Sequence, residues 1–389
     1  MKNFIFENPT KIIFGEGQIA RIGGETRRFG RRVLFVYGKG SIKENGVYDQ
    51  VTASLSEAGL EVVEWPGVRP NPVLSHVREG IELARRENVE AVLAAGGGSV
   101  IDEAKTIAAG VPAEQDVWDY FTCKAVITAA LPVLTVLTLS ASASEMNPTA
   151  VITREEGAQK FSIRSPHIQP KTSILDPTVL YSLSSNQSAY GAVDAITHML
   201  EGYFNGQAAA PILQEGLVET LTRVIMGSME TILANPRDYD ARAAIMWATT
   251  LAFNGLVSAG IGRFSLPAHM IEHSLSALYD VAHGAGLSIV LPGWMRYAAA
   301  DGATEARIAR FARRIFAVDT GDDSEAARAG TEALKAWFRS IGSPVSLNEV
   351  GIPEADINRI ALNAALTADV WGMRDYTLPV IEAILEQCR

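Results

Sequence analysis

Short apolar runs of five or six residues alternate with helical periods as far as residue 183, and beyond that point helical periods stand almost alone. This change of pattern constrains the fold more than any single motif. Residues 32–37, 60–65 and 91–95 read as strands, while 47–58 and 74–87 carry apolar positions at helical spacing. Such alternation predicts a parallel sheet covered by helices on both faces, with its ligand site at the carboxyl ends of the strands. After Asp176-Pro177, the stretch Ser184-Ser185-Asn186 supplies helix-capping side chains. The expected architecture is an α/β N-terminal domain over residues 1–183 and an all-α C-terminal domain over 184–389. The cleft between the two is the expected active site.

Composition removes several function classes. Among 389 residues, 34 Lys and Arg against 44 Asp and Glu leave a net charge of −10, and no segment clusters enough basic residues to track a phosphate backbone. A nucleic-acid partner is not expected. The two cysteines, Cys123 and Cys388, are far apart and lack metal-like spacing, so a reducing cytoplasm is expected. The N-terminus has no long apolar core, so no signal peptide is expected. The longest apolar run, 125–139, is interrupted by Thr128, Pro132, Thr135 and Thr138 and is too short to span a bilayer.

The strand at 91–95 runs into Gly96-Gly97-Gly98-Ser99, and a helix is predicted from Val100. Glycines permit a tight turn and close approach of a ligand to the backbone, and a helix start offers N–H groups to a phosphate. Asp102 falls in the first helical turn, placed to face the dipole or the ligand. A plain glycine-rich turn is the alternative. The strand at 32–37 is followed by Gly38-Lys39-Gly40-Ser41-Ile42-Lys43. NAD sites tend to carry an acidic side chain at such a strand end, on the ribose 2′-hydroxyl. Glycine stands there instead, with lysines and Ser41 beyond it, a set suited to a 2′-phosphate. NADP is therefore expected over NAD, which stays possible.

Six histidines occur, and His198, His269, His273 and His283 fall within 86 positions of the helical half. Asp194 and His198 are four residues apart, on one helical face, and His269 and His273 repeat the spacing. One carboxylate and several imidazoles suit Zn²⁺ or Fe²⁺. The rival reading takes His269-x-x-Glu272-His273 as a zinc hydrolase motif with Glu272 as general base, which leaves the dinucleotide-like half and Asp194 without a role.

Taken together, the motifs resemble the iron-containing, or group III, alcohol dehydrogenase family, in its butanol-dehydrogenase-like branch. The resemblance rests on the stretch from Phe4 to Gly17 around Asn8-Pro9-Thr10, the Pro70-Asn71-Pro72 turn, and Gly96 to Asp102. It continues through Ile174-Leu175-Asp176-Pro177, Asp194…His198 and the series His269…His273…His283. It implies a dehydroquinate synthase-like architecture, usually in a homodimer, and an alcohol dehydrogenase or aldehyde reductase acting on small primary alcohols and aldehydes. Carried over by position, the metal ligands are Asp194, His198, His269 and His283, and His273 is a proton-relay group beside the nicotinamide. The pyrophosphate falls on Gly97, Gly98 and Ser99, with Asp102 nearby, and Asn71 is a further cofactor-binding residue. Thr138, Leu139 and Ser142 line the cofactor on the other side, and Lys160 approaches its ribose. Gly38 lies where NAD-preferring members carry aspartate, and iron is expected over zinc.

The family's Gly-Thr-Gly-Ser-Glu stretch is Ala141-Ser142-Ala143-Ser144-Glu145 in this chain, which predicts a stiffer loop. Residues 262–268 are expected at the substrate pocket. A dehydroquinate synthase-like lyase is the main alternative activity. It calls for basic side chains around a phosphate-bearing substrate, and between 190 and 290 the sequence offers Arg223, Arg237, Arg242 and Arg263 but no lysine.

Overall fold

The computed structural model describes residues 1–208 and 211–389. In its first part run β1 (Lys11–Phe14), α1 (Ile22–Thr26), β2 (Arg32–Gly38), α2 (Ser41–Glu44), α3 (Val47–Glu57), β3 (Glu61–Val68) and α4 (Leu74–Arg86). There follow β4 (Ala91–Gly96), α5 (Gly98–Gly110), α6 (Trp118–Phe121), β5 (Val133–Leu137), β6 (Thr149–Arg154), β7 (Gln159–Arg164) and β8 (Thr172–Leu175). Six strands form one sheet in the order β1-β8-β5-β4-β2-β3, and every pairing in it is parallel.

The sequence-predicted strands are all present and run one to three residues further at their carboxyl ends. Strand β4 (AVLAAG) is buried at every position, as a central strand covered on both faces must be, and β5 beside it is buried throughout. Strand β5 lies inside the apolar run 125–139, just after Pro132, and carries Thr135 within it. The antiparallel hairpin β6–β7, a separate two-stranded sheet, was not anticipated.

Strand order places the site. From β2 the chain turns to β3 on one side, and from β4 it turns to β5 on the other, so β2 and β4 lie together at the topological switch point. Their register pairs Tyr37 with Ala95, which sets the turn after Gly38 beside the turn after Gly96.

The second part is helical: α7 (Ser185–Asn205), α8 (Ile212–Ala234), α9 (Tyr239–Ala252), α10 (Pro267–Tyr279), α11 (His283–Ala298), α12 (Gly302–Phe316), α13 (Asp323–Ser340), α14 (Ile357–Val370) and α15 (Leu378–Glu386). A capping box starts α7: Ser184 Oγ accepts from Gln187 N at 3.2 Å, and Gln187 Oε1 accepts from Ser184 N at 3.0 Å. Helix α7 is buried on nearly all sides from Gly191 to Phe204, so polar side chains on it need partners from its neighbours. Among the described residues no helix is long and apolar enough to cross a membrane.

Contacts divide the chain into two units. One holds Glu7–Leu183 with Arg237–Thr250, and the other holds Met1–Phe6, Ser184–Pro236 and Leu251–Arg389. A single cut at 183 therefore misplaces two segments. Arg237–Thr250 joins the α/β unit because Arg237 stacks over Tyr181, Trp247 meets Phe14 edge-on, and Thr250 Oγ1 donates to Glu145 Oε1 at 2.5 Å. Met1–Phe6 joins the helical unit, with Lys2 N donating to Gly260 O at 2.8 Å.

Candidate metal centre and cofactor turn

Asp194 and His198 project from one face of α7, His269 from the first turn of α10 and His283 from the start of α11. Their polar atoms converge. Asp194 Oδ1 lies 3.0 Å from His198 Nδ1, 3.5 Å from His269 Nε2 and 3.7 Å from His283 Nε2. Asp194, His198 and His269 are buried, while the His283 side chain keeps 26% of its surface exposed. Despite this crowding, Asp194 Oδ1 and His269 Nε2 make no hydrogen bond of proper geometry. Buried polar atoms without partners are costly, and a shared cation satisfies both at once.

Burial pushes the Asp194 carboxyl up, but the facing imidazoles of His198, His269 and His283 outweigh it and hold it well below the usual carboxylate range. Burial and the neighbouring His269 push His198 down. Burial also acts to lower His269, yet Glu201 and Asp194 carry it up to about 9. The donor set, one carboxylate and three imidazoles, fits a divalent transition ion.

Two carboxylates outside the expected donor set complete the arrangement. Glu201 faces His269 Nδ1, and Glu272 faces His283 Nδ1. A helical signal for Glu201 was present, since it lies seven residues after Asp194 and three after His198, on the same face. Glu272 is the general base of the rival hydrolase motif. The structure overturns that reading, because both its oxygens are engaged, one by His283 and one by Ser276 Oγ. His269 and His273 also do not act as a pair, since His269 meets Asp194 while the His273 ring meets Trp371 edge-on with centroids 5.2 Å apart. His273 is 3% exposed, and its ring centroid is 5.7 Å from that of His283. Beside His198 an apolar cavity is walled by Met199, Phe253, Val257, Ile261 and Phe264, the last from the 262–268 segment.

In the α/β unit, β4 ends at Gly96 and α5 begins at Gly98, with no side chain capping its N-terminus. Both glycines lie close to the loop after β5. A Cβ on Gly97 would lie 3.0 Å from Leu139 Cβ, and one on Gly98 would lie 2.4 Å from Ser142 Oγ. Thr138 N donates to Gly96 O at 3.0 Å, so Thr138, Leu139 and Ser142 all border the turn with Ser99. Ser142 Oγ is buried without a partner. An uncapped helix N-terminus, an orphaned hydroxyl and backbone left bare by glycine together fit a pyrophosphate.

Asp102 faces the loop after β5: Ser144 Oγ donates to its Oδ1 at 2.5 Å and Val151 N to its Oδ2 at 3.0 Å. Lys105, which the sequence reading missed, is fully buried and donates to Ser144 Oγ, Asn147 O, Asn147 Oδ1 and Thr149 O at 2.8–3.2 Å. The two residues hold a strained loop, since Ala143 sits at φ 53°, where glycine is at ease. Its neighbour Ala141 needs no such conformation. Asn71 and Lys160 are bonded to one another. Gly38 ends β2 with room for a side chain, its nearest would-be contact being Val68 O at 3.5 Å, and Ser41 is exposed at the start of α2.

The description "Iron-containing alcohol dehydrogenase" matches residues 9–177, and "Fe-containing alcohol dehydrogenase family, C-terminal" matches 188–388. NADH-dependent butanol dehydrogenase A of Clostridium acetobutylicum is 42% identical over 94% of the chain and 93% of its own length. The NADPH-dependent aldehyde reductase YqhD of Escherichia coli is 35% identical over the whole of both chains. Among solved structures, NADH-dependent butanol dehydrogenase A from Thermotoga maritima is 46% identical, with a TM-score of 0.95 over 100% of this chain and 99% of the other.

Proposed function

This chain belongs to the iron-containing alcohol dehydrogenase family, and from that premise we propose that it interconverts small primary alcohols and aldehydes such as butanol and butanal, with NADP(H) favoured over NAD(H), at one divalent metal ion, Fe²⁺ in preference to Zn²⁺. The observation that carries the reading is the buried Asp194 Oδ1 ringed by three imidazoles, with Asp194 Oδ1 and His269 Nε2 both left without hydrogen bonds. Asp194, His198, His269 and His283 hold the ion. When bound, the ion supplies Lewis acidity to the substrate oxygen, and the nicotinamide supplies or accepts the hydride.

The chain's own residues do the remaining work. His273, buried on the same helix as His269, holds and passes the proton that accompanies hydride transfer, as an imidazole with one donor and one acceptor nitrogen can. The cavity beside His198 is apolar along Met199, Val257, Ile261 and Phe264, which suits a short alkyl tail. Gly97, Gly98, Ser99 and Ser142 receive the pyrophosphate, with Thr138 and Leu139 at the border of that turn. Asp102 acts on it through the loop that it clamps. Asn71 and Lys160 receive a ribose.

For the NADP preference, the support is the free space at Gly38 together with Ser41, Lys39 and Lys43 in the turn that follows. Lys43 Nζ lies over the rings of Tyr48 and Tyr37, 4.6 and 5.3 Å from their centroids. Relatives named for NADH and a relative named for NADPH are both similar to the chain, and the preference is read from this turn alone.

A lyase reading has less support. Of the four arginines that would serve a phosphate-bearing substrate, Arg237 and Arg242 belong to the α/β unit, and Arg223 donates to Arg314 O. We further propose a cytoplasmic homodimer, with the N-terminal segment and the start of α8 as its apolar surface. Met1, Ile212 and Leu213 line one surface hollow with Leu217, and they are 63%, 72% and 62% exposed, an apolar patch of the kind that marks an interface.

The test follows nicotinamide absorbance anaerobically with butanal, using metal-stripped protein with and without Fe²⁺ or Zn²⁺. Oxidation of NADPH restored by the ion, and faster with Fe²⁺, is the expected result. No oxidation of NADPH or NADH with either ion would overturn the aldehyde reading.

A further inference from the structure

Two imidazoles of the centre use their ring nitrogens in opposite directions. His269 Nε2 and His283 Nε2 point towards Asp194 Oδ1, at 3.5 and 3.7 Å, while their Nδ1 atoms meet Glu201 and Glu272. Both glutamates are 0% exposed, and neither belongs to the donor set around Asp194 Oδ1. Their second oxygens are also engaged. Glu201 Oε1 accepts from Ala268 N at 2.5 Å, and Glu272 Oε1 accepts from Ser276 Oγ. Glu201 therefore ties α7 to the first turn of α10, and Glu272 ties α10 to the start of α11. The helices that carry the ligands are joined in series by two buried carboxylates.

Close packing keeps this geometry. A Cβ on Gly286 would lie 2.7 Å from Glu272 Cγ, and one on Gly284 would lie 2.1 Å from Tyr190 O. The first turn of α11 can approach Glu272 and α7 because it carries glycine at both places. His198 differs, since its Nδ1 has the main-chain oxygen of Asp194 as acceptor, at 3.0 Å.

We propose that Glu201 and Glu272 are positioning residues that keep the proton of His269 and His283 on Nδ1, aim both Nε2 atoms at one ion, and thereby set how tightly the centre holds it. The inference rests on the assignment of the metal to Asp194, His198, His269 and His283. An imidazole whose Nδ1–H is held by a carboxylate has a fixed tautomer, a fixed ring orientation and a more basic Nε2, and loss of such a partner typically weakens metal binding about 10–100-fold.

The test compares wild type with Glu201→Gln and Glu272→Gln, which keep side-chain shape and remove the charge. Zn²⁺ affinity is read by competition with a chromophoric chelator, alongside the thermal midpoint of the metal-free proteins. Histidine-ring ¹⁵N–¹H spectra are recorded on the Zn²⁺-loaded forms. Each variant is expected to bind Zn²⁺ about 10–100-fold more weakly. Glu201→Gln should move the Nδ1–H signal of His269 alone, and Glu272→Gln that of His283 alone. Binding within about threefold of wild type in both variants overturns the proposal. If a variant does not fold, the wild-type spectrum still decides, because coordination of either ring through Nδ1 overturns it too. A wild type that takes up no Zn²⁺ or Fe²⁺ would instead remove the metal assignment underneath.

Discussion

The side-chain oxygen of Asn71 accepts a hydrogen bond from Lys160 Nζ at 2.9 Å, across 89 positions of sequence. Asn71 holds the left-handed conformation at φ 52° between β3 and α4, and Lys160 lies on β7 opposite Thr153. Both are buried. With the two as a ribose-binding pair, Lys160→Met should raise the KM for NADPH about tenfold, the loss expected for a charge-assisted hydrogen bond, and leave kcat within about twofold. Initial rates across an NADPH series check this. An unchanged KM would remove Lys160 from the cofactor site.

Gly38 should tolerate aspartate. Its φ is not positive, and a Cβ there would meet only Val68 O at 3.5 Å. Gly38→Asp is expected to lower the ratio of kcat/KM for NADPH over NADH at least tenfold, because a carboxylate repels the 2′-phosphate and accepts from a 2′-hydroxyl. The thermal midpoint should move little. An unaltered ratio would refute the role given to this turn.

Gly98→Ala tests the orphaned hydroxyl. The new methyl would lie 2.4 Å from Ser142 Oγ and must turn that hydroxyl aside. Losing one hydrogen bond of about 0.5–1.5 kcal/mol predicts roughly two- to tenfold weaker NADPH binding. In a Ser142→Ala background the same substitution should cost clearly less. Equal costs in both backgrounds, by fluorescence titration, would place the effect elsewhere.

His273 and Asp194 should separate turnover from metal content. His273→Ala is expected to lower kcat about 10²–10⁴-fold with the ion retained, as loss of a proton-transfer group does. Asp194→Ala removes the oxygen shared by the three imidazoles and should lose both ion and activity. Metal analysis beside kinetics distinguishes them, and a fully loaded Asp194→Ala protein would count against the ligand assignment.

One structural pair carries a pH dependence. Glu103 Oε1, buried in the α/β unit, meets His76 Nδ1 at 2.6 Å and accepts from Trp65 Nε1 at 3.0 Å. The hydrogen bond to Glu103 raises the His76 pKa above 6.5, against burial, which lowers it. A folded pKa above the unfolded one gives stability that is fully present below the unfolded value and is lost as pH rises through the folded one. The stability advantage of wild type over His76→Gln should therefore be full below about pH 6.5 and shrink as pH rises from there through the raised folded value, read from urea midpoints. A constant difference would exclude the ion pair as its source.

The sequence by itself determined what is local. A buried strand, three glycines and a helix start specify the turn at Gly96–Gly98, because tight turning and close backbone approach need no distant partner. Four-residue spacing on a helix puts Asp194 and His198 on one face for the same reason. The tertiary structure decided what depends on helices far apart in sequence. It brought His269 and His283 to Asp194 Oδ1, gave Glu201 to His269, and took Glu272 from a hydrolase-like pattern to hold His283. It also assigned residues 237–250 to the α/β unit and buried Lys105 beneath the Ser142 loop. Residue spacing fixes which side chains share a face, whereas the partner that a buried polar atom finds is fixed only when separate elements pack and every such atom has to be satisfied.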